Sequence, residues 1–445
     1  MARDTRRRGV PLGSLRAGLD REAVGREMHA LASELYPLCR SITGEGLRRT
    51  LDRLGRRLPL ERHRVASGSR VLDWTVPPEW NIRDAWVRGP RGERVVDFAD
   101  HNLHVVSYSE PIHQRMSRAD LEPHLHSLPG RPDWIPYRTS YYQRSWGFCL
   151  AHARRERLAE GEYEVCIDAT LGDGHLDWAE LVLPGETDEE FLFSCHACHP
   201  SLANDNLSSL VVAEQLAHRL EGARRRFTYR FLFLPGTIGA IAWLAANEAR
   251  VGRIRHGMVL ACLGDPGPFT WKRSRSGDRE IDHVVEHALR GSEKKWESRP
   301  FTPYGYDERQ YGSPGFDLPV GRLTRTPNGE YPEYHTSADD LTLVRPESLA
   351  ESLDVLLRIV EVAEGNRRYR NLQPKGEPQL GSRGLYGALG GLPDPGERSL
   401  AMLWVLNLSD GQHTLLDVAD RAGLPFELVC ETAELLVAHD LLRAL

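Results

Sequence analysis

Three short polar clusters carry most of the chemistry this sequence offers. Ser194-Cys195-His196-Ala197-Cys198-His199-Pro200 leads into Ala203-Asn204-Asp205-Asn206. Leu263-Gly264-Asp265-Pro266 is the second cluster, and Glu333-Tyr334-His335-Thr336-Ser337-Ala338-Asp339-Asp340 the third. Imidazole and carboxylate are donors that suit zinc, and a catalytic zinc keeps one position open for water. A carboxylate between two ions can bridge them, and ions about 4 Å apart clamp both the attacking and the leaving oxygen of a displacement. Taken singly, the same residues have plainer uses. A strand-end histidine is most often a hydrogen-bonded core or surface group, and Asp339 and Asp340 can cap a helix. Cys195 and Cys198 have Cys-x-x-Cys spacing but overlap a strand end and have no second pair, which argues against redox or structural-zinc use.

The elements around these clusters alternate. Phe191 to Cys195, Tyr229 to Leu234 and Met258 to Cys262 are buried-type strands; Leu207 to Leu220 and Ile238 to Asn247 are apolar-periodic helices. Alternation of this kind predicts an α/β domain with a largely parallel sheet, whose sites sit at the carboxyl ends of its strands. All three clusters fall at such positions. Two helices precede this region, on Val24, Met28, Leu31, Leu35 and on Leu47, Leu51, Leu54, Leu58, and Pro346 opens a final one.

Between them, residues 65–185 change character. Short β-rich runs such as Trp74-Thr75-Val76, His104 to Tyr108, Tyr163 to Ile167 and Glu180 to Leu183 are punctuated by Pro, Gly and Asp. This predicts an inserted β domain. Its aromatics Trp134, Tyr137, Tyr141, Tyr142, Trp146 and Phe148 fill a small core or line a cleft facing the next domain. The resulting division is a disordered arm over 1–19, an α/β domain from 20–64 and 186–370, the insert, a Gly/Pro-rich linker over 371–397, and a helix-turn-helix module over 398–445.

Composition bounds the function. The 445 residues are 40% hydrophobic and 27% charged, the balance of a soluble globular chain. A net charge of −6 makes no case for nucleic acid or an anionic membrane as partner, and no apolar run approaches the ~20 residues that span a bilayer. Arg6-Arg7-Arg8 precedes no apolar core and so does not read as an export signal. Seven scattered cysteines fit a reducing cytoplasm rather than a disulfide framework. The C-terminal module holds three basic residues (Arg398, Arg421, Arg443) against seven acidic ones, which argues against DNA and for protein docking or self-association.

His199-Pro200-Ser201-Leu202-Ala203-Asn204-Asp205-Asn206-Leu207-Ser208 resembles the Ala-Asn-Asp-Asn-x-Ser-Gly signature of co-catalytic zinc aminopeptidases. Tyr334-His335-Thr336-Ser337-Ala338-Asp339 is similar to that superfamily's His-Thr-x-x-Asp motif. The resemblance extends over nearly the whole chain to a bacterial aminopeptidase-like family with an inserted β domain and a C-terminal winged-helix-like module. Arg40-Ser41-Ile42-Thr43-Gly44, Trp74-Thr75-Val76-Pro77, Ser140-Tyr141-Tyr142, Trp146-Gly147-Phe148-Cys149, Thr237-Ile238-Gly239 and Tyr306 to Tyr311 all carry it.

The resemblance implies one or two zinc ions, with Asp205 bridging, His335 on one ion, and His199 or alternatively His196 on the other along with Asp265. It implies a hydrolase of a small peptide or amide. It also exposes a departure: where relatives carry Glu-Glu, a general base and a zinc ligand, this chain has Gly236-Thr237. Glu308, Asp307 and Glu333 are the candidate replacement carboxylates, with Glu308 favoured as the base. Asp307 or Glu333 is a candidate for a substrate ammonium, and Arg40 or Arg144 for a carboxylate through bidentate bonds. The alternative is a fold that has lost hydrolysis and now binds or scaffolds.

Overall fold

The computed structural model describes residues 10, 12–292, 294–385 and 396–445. They form two compact units, one ending at Leu357 and the other spanning Arg358–Leu445.

The first unit is organised by an eight-stranded mixed sheet. In chain order its strands are β1 (Glu61–Ala66), β2 (His175–Leu183), β3 (Glu190–His196), β4 (Thr228–Leu234), β5 (Ile254–Leu260), β6 (Phe269–Lys272), β7 (Trp296–Arg299) and β8 (Val320–Thr324). Their order across the sheet is β1-β2-β4-β3-β5-β8-β6-β7. The four central strands β4, β3, β5 and β8 are mutually parallel. Helices cover both faces of such strands, so their side chains are mostly apolar on both sides: every residue of β3 and of β4 is buried. Helices Arg21–Leu35 (α1), Glu45–Leu54 (α2), Ser209–Glu221 (α3), Ile238–Asn247 (α4), Glu280–Arg290 (α5) and Pro346–Gly365 (α6) flank the sheet.

The insert is smaller than its sequence suggests. β1 and β2 pair with each other, and β2 also pairs with β4, so Val65 and the Glu180–Leu183 run belong to the main sheet. Alternation marks a strand but not its partner, which is why the boundary moves inward. What remains is an antiparallel sheet of Arg94–Asp97, Glu79–Arg88, Glu162–Gly172 and Ile112–Ser117, in that order. The Arg40–Gly44 turn clasps it: Ser41 Oγ meets Ser107 Oγ at 2.8 Å, and Thr43 Oγ1 accepts from the Trp80 amide at 3.0 Å. Gly44 is required there, with φ of 93° and the Trp80 carbonyl 2.1 Å from where a Cβ would stand.

In the second unit, Arg368–Asn371 is the central strand of a three-stranded sheet with Asp410–Thr414 and Leu442–Ala444. Helices Gly396–Leu408, Leu415–Ala422 and Phe426–Ala438 complete a winged helix-turn-helix. Thr414 and Asp417 form a capping box, and Gly423 closes the middle helix in the left-handed region. The module therefore begins before residue 398 and takes in the start of the expected linker, because the wing needs a strand from upstream. Of the expected arm, Leu12–Ala17 is helical and residues 1–9 and 11 lie outside the described residues, as do 386–395 of the linker. Among the described residues no helix is long and apolar enough to cross a membrane.

Candidate metal centre

β3 ends at His196, and the chain then turns through His199 into the buried segment Ala203–Ser208 that leads to α3. A buried loop must find partners for every backbone group, and the Asn-Asp-Asn sequence supplies them. The amides of Asn204 and Asp205 donate to the two oxygens of Asp339 at 2.6 and 3.1 Å. Asn204 Oδ1 accepts from the Gly264 amide, while Asn206 donates to the Leu260 carbonyl at the end of β5 and accepts from the Cys262 amide. Asn204 and Asn206 thus tie the loop to the end of β5, and Asp205 is left pointing at histidines.

Asp205 Oδ1 lies 2.8 Å from His196 Nε2, and Oδ2 lies 3.0 Å from His335 Nε2 and 3.8 Å from His199 Nε2. Burial alone raises a carboxyl pKa, but the three imidazoles outweigh it and hold Asp205 well below the ordinary carboxylate range. Burial pushes His199 down to about 3, against the opposing pull of Asp205. Tyr306 stacks on His196 and Tyr334 on His335, with ring centroids 4.5 and 3.9 Å apart. The insert supplies the last wall. Tyr137 packs against both His199 and His335, its amide donates to the His335 carbonyl at 2.8 Å, and Ile135 and Ser337 exchange two further bonds. Four non-glycine residues of these loops, Ser201, Thr237, Cys262 and His335, hold positive φ between 41° and 61°. Such backbone persists where surrounding packing over-determines it, and it concentrates at functional sites.

The other expected site residues are distributed differently. Asp307 is buried beside this cluster: Oδ1 accepts from the Thr237 amide at 2.6 Å, Oδ2 has no hydrogen-bond partner among the described residues, and burial pushes the carboxyl up to about 6 despite the opposing pull of His196. Glu308, the favoured replacement base, does not face the histidines. It is fully buried and pairs with Lys272 at 2.6 Å and Arg322 at 3.6 Å, because the short helix starting there turns it toward the end of β6. Asp265 is not placed with the histidines either. Its oxygens accept from Thr326, Gly267 and Asn204, so it braces the loop that presents Asp205.

Arg40 is buried behind the site, where Nε donates to the His199 carbonyl at 2.8 Å and Nη1 to Leu35; burial lowers its pKa to about 10. It fixes the His199 backbone. Arg144 is exposed and paired with Glu110 at 2.7 Å. Glu333 is half-buried two residues before His335, and its carbonyl accepts from Thr336. Sequence reasoning weighed Cys198 only as half of a Cys-x-x-Cys pair and missed Cys262. Cys198 Sγ accepts from the Gly236 amide at 3.3 Å and lies 3.5 Å from His199 Nδ1. A Cβ on Gly236 would meet only ordinary contacts, with Cys198 Sγ and His196 Cβ each at 3.6 Å. Cys262, two residues past the end of β5, has its thiol 3.7 Å from the Tyr331 hydroxyl and feels the charge of Asp205. A position just after a strand was the available signal.

His196, His199 and Asp205 bring one donor atom each within 4.8 Å of one another. Two nitrogens and a carboxylate oxygen fit zinc, and His335 sits on the second oxygen of the same carboxylate. A family model described as a domain of unknown function, DUF4910, matches residues 29–366, and a winged helix-turn-helix model matches 367–444. A Clostridium acetobutylicum relative, provisionally named a polysaccharide biosynthesis protein with an aminopeptidase-like domain, is 46% identical over 419 residues, covering 94% of this chain and 96% of its own. A crystal structure from Clostridium acetobutylicum, provisionally a peptidase, superposes with a TM-score of 0.89 at 44% identity, over 96% of this chain and 98% of that one. The zinc aminopeptidase BSAP of Bacillus subtilis is similar in fold, with a TM-score of 0.57 at 12% identity over 76% and 94% of the two chains.

Proposed function

The chain belongs to the DUF4910 family and has an aminopeptidase-like fold, and from that premise we propose a metal-dependent hydrolase of a peptide or amide bond that holds one or two zinc ions on His196, His199, Asp205 and His335. The observation that carries this reading is the buried Asp205 carboxylate, with one oxygen on His196 and the other on His335. When bound, zinc polarises the carbonyl and acidifies water.

The chain's own groups do the rest. Asp205 orients the imidazoles, and Tyr137, Tyr306 and Tyr334 pack against them, shielding His196 and His199 while His335 stays partly open to solvent. With Gly236 unable to move a proton, Asp307 is the acceptor: its free Oδ2 takes the proton of the attacking water and returns it to the leaving amine. A pKa near 6 leaves Asp307 ionised at neutral pH and close to the value an acid–base group needs. The name of the 46% identical relative supports trying amides borne on sugars, such as N-acyl amino sugars, beside aminoacyl amides. Seven free cysteines support a reducing, cytoplasmic setting. In the winged module, helix Phe426–Ala438 exposes Glu427, Glu431 and Glu434 and carries no basic residue, which supports protein docking over DNA.

The test is turnover of such a panel by zinc-loaded protein beside Asp307→Asn. We expect the variant to keep its zinc and lose about 10²–10⁴-fold in rate. An unchanged rate removes Asp307 as the base. No turnover of any amide by the zinc-loaded wild type overturns the hydrolase reading in favour of a binding protein.

A further inference from the structure

Helices α1, α2 and α3 converge on a second feature, a cavity of about 320 Å³ lined from all three. Its walls differ in chemistry. Met28 and Leu31 of α1 make an apolar side. On α3, Glu214 and Gln215 line the opposite chemistry, buried to 1% and 2% exposure. Among the described residues, none donates a hydrogen bond to Glu214 Oε1 or to Gln215 Oε1. A buried acceptor left unpaired is destabilising, because it gives up water and gains no partner. Two such acceptors on consecutive residues of one cavity are a deficit that a donor-bearing occupant removes.

The charge balance says which kind of donor. Arg53 donates to Glu34 at 2.7 Å and Arg57 to Glu27 at 2.6 Å, so both guanidiniums already hold a carboxylate. Arg57 reaches Glu214 only at 3.5 Å. Burial pushes the Glu214 carboxyl up to about 7, with Arg57 only partly offsetting it. Three lining carboxylates face two lining cations.

We propose that this cavity binds a small organic cation carrying N–H donors, a primary alkylammonium, with its nitrogen on Glu214 and Gln215 and its hydrocarbon on Met28 and Leu31. A hydrated metal ion would leave the apolar side unmatched, and a neutral alcohol would leave the acidic side uncompensated. The site stands apart from the zinc centre and does not rest on the hydrolase reading. It is nonetheless connected to it. Glu214 lies on the helix into which the Asp205 loop runs, and the thiol of Cys195, next to His196, donates to the Ser209 carbonyl at 3.6 Å at the start of that helix. An occupant braces the element that carries the metal carboxylate.

Isothermal titration of the full chain with n-butylammonium chloride, tetramethylammonium chloride and 1-butanol tests this, with circular dichroism to check the fold of each variant. For five non-hydrogen atoms, saturable binding of n-butylammonium at about millimolar is expected. Tetramethylammonium, which has no N–H, and 1-butanol, which has no charge, should bind at least about tenfold more weakly. Glu214→Gln should weaken n-butylammonium by about tenfold, and Gln215→Leu, the deciding variant if Glu214→Gln fails to fold, by several-fold. No saturation with n-butylammonium, equal binding of tetramethylammonium, or unchanged affinity in the folded variants overturns the proposal.

Discussion

Two groups of carboxylate and imidazole sit on the same sheet and offer the same donor types within the same reach. One is His196, His199 and Asp205; the other is Glu61, His63 and Glu180. They differ in what completes them. Glu180 accepts from Arg230 at 2.9 Å and from the Trp243 indole at 3.0 Å, while Arg230 also holds Glu190 through two bonds of 2.7 and 2.9 Å. Its charge is already neutralised by a covalently attached cation. Asp205 has only imidazoles, and burial holds one of them, His199, neutral. The inventory of donors is therefore not what marks a metal site. What marks it is a buried negative charge without a permanent counter-charge.

The comparison can be broken or sharpened by experiment. The largest effect expected is on metal content. Asp205→Asn should take zinc, counted by plasma mass spectrometry, from near-stoichiometric to background, and chelation of the wild type should do the same. Zinc retained in Asp205→Asn would break the distinction. Arg230→Met should instead leave zinc in place and lower stability by about 3–5 kcal/mol in denaturant titration, since it strands Glu180 and Glu190 in the interior.

The pH response of the metal-free protein comes next. The folded pKa of His199 lies below its unfolded value of about 6.5, so between about 6.5 and 3 the unfolded chain binds the extra proton. Stability should fall by a few kcal/mol as pH drops through that window, and His199→Asn should flatten the decline in melting experiments. Smallest is Glu61→Gln. It removes a 3.7 Å contact between exposed Glu61 and His63, worth below about 1 kcal/mol, and should change neither zinc content nor, measurably, the melting temperature.

Legibility in the sequence followed the range of the interactions. Apolar runs made β3, β4 and β5 readable, because a strand buried on both faces needs a continuous run. The Asn-Asp-Asn and His335 motifs were readable because their residues satisfy fixed backbone groups at strand ends. Asp265 looked like a ligand because nothing local reveals that its oxygens are taken by Thr326 and Asn204, on opposite sides of it in sequence, as well as by Gly267. Choosing between the neighbours Asp307 and Glu308 requires knowing that Lys272 lies 2.6 Å from Glu308, a contact 36 residues away in sequence. Arg40 looked like a carboxylate clamp because nothing local reveals that it is enclosed and bonded to the carbonyl of His199, 159 residues on.

The crossing of the insert over His335 has a temporal meaning. Ile135 and Ser337 meet across 202 residues, and His335 emerges from a ribosome roughly ten seconds after His196 at ordinary elongation rates. A nascent chain stopped before residue 335 has the strand carrying His196 and the Asp205 loop, yet lacks the segment that docks on Ile135 and Tyr137. Closure of the centre therefore waits for the His335 segment, which docks on an insert synthesised well before it.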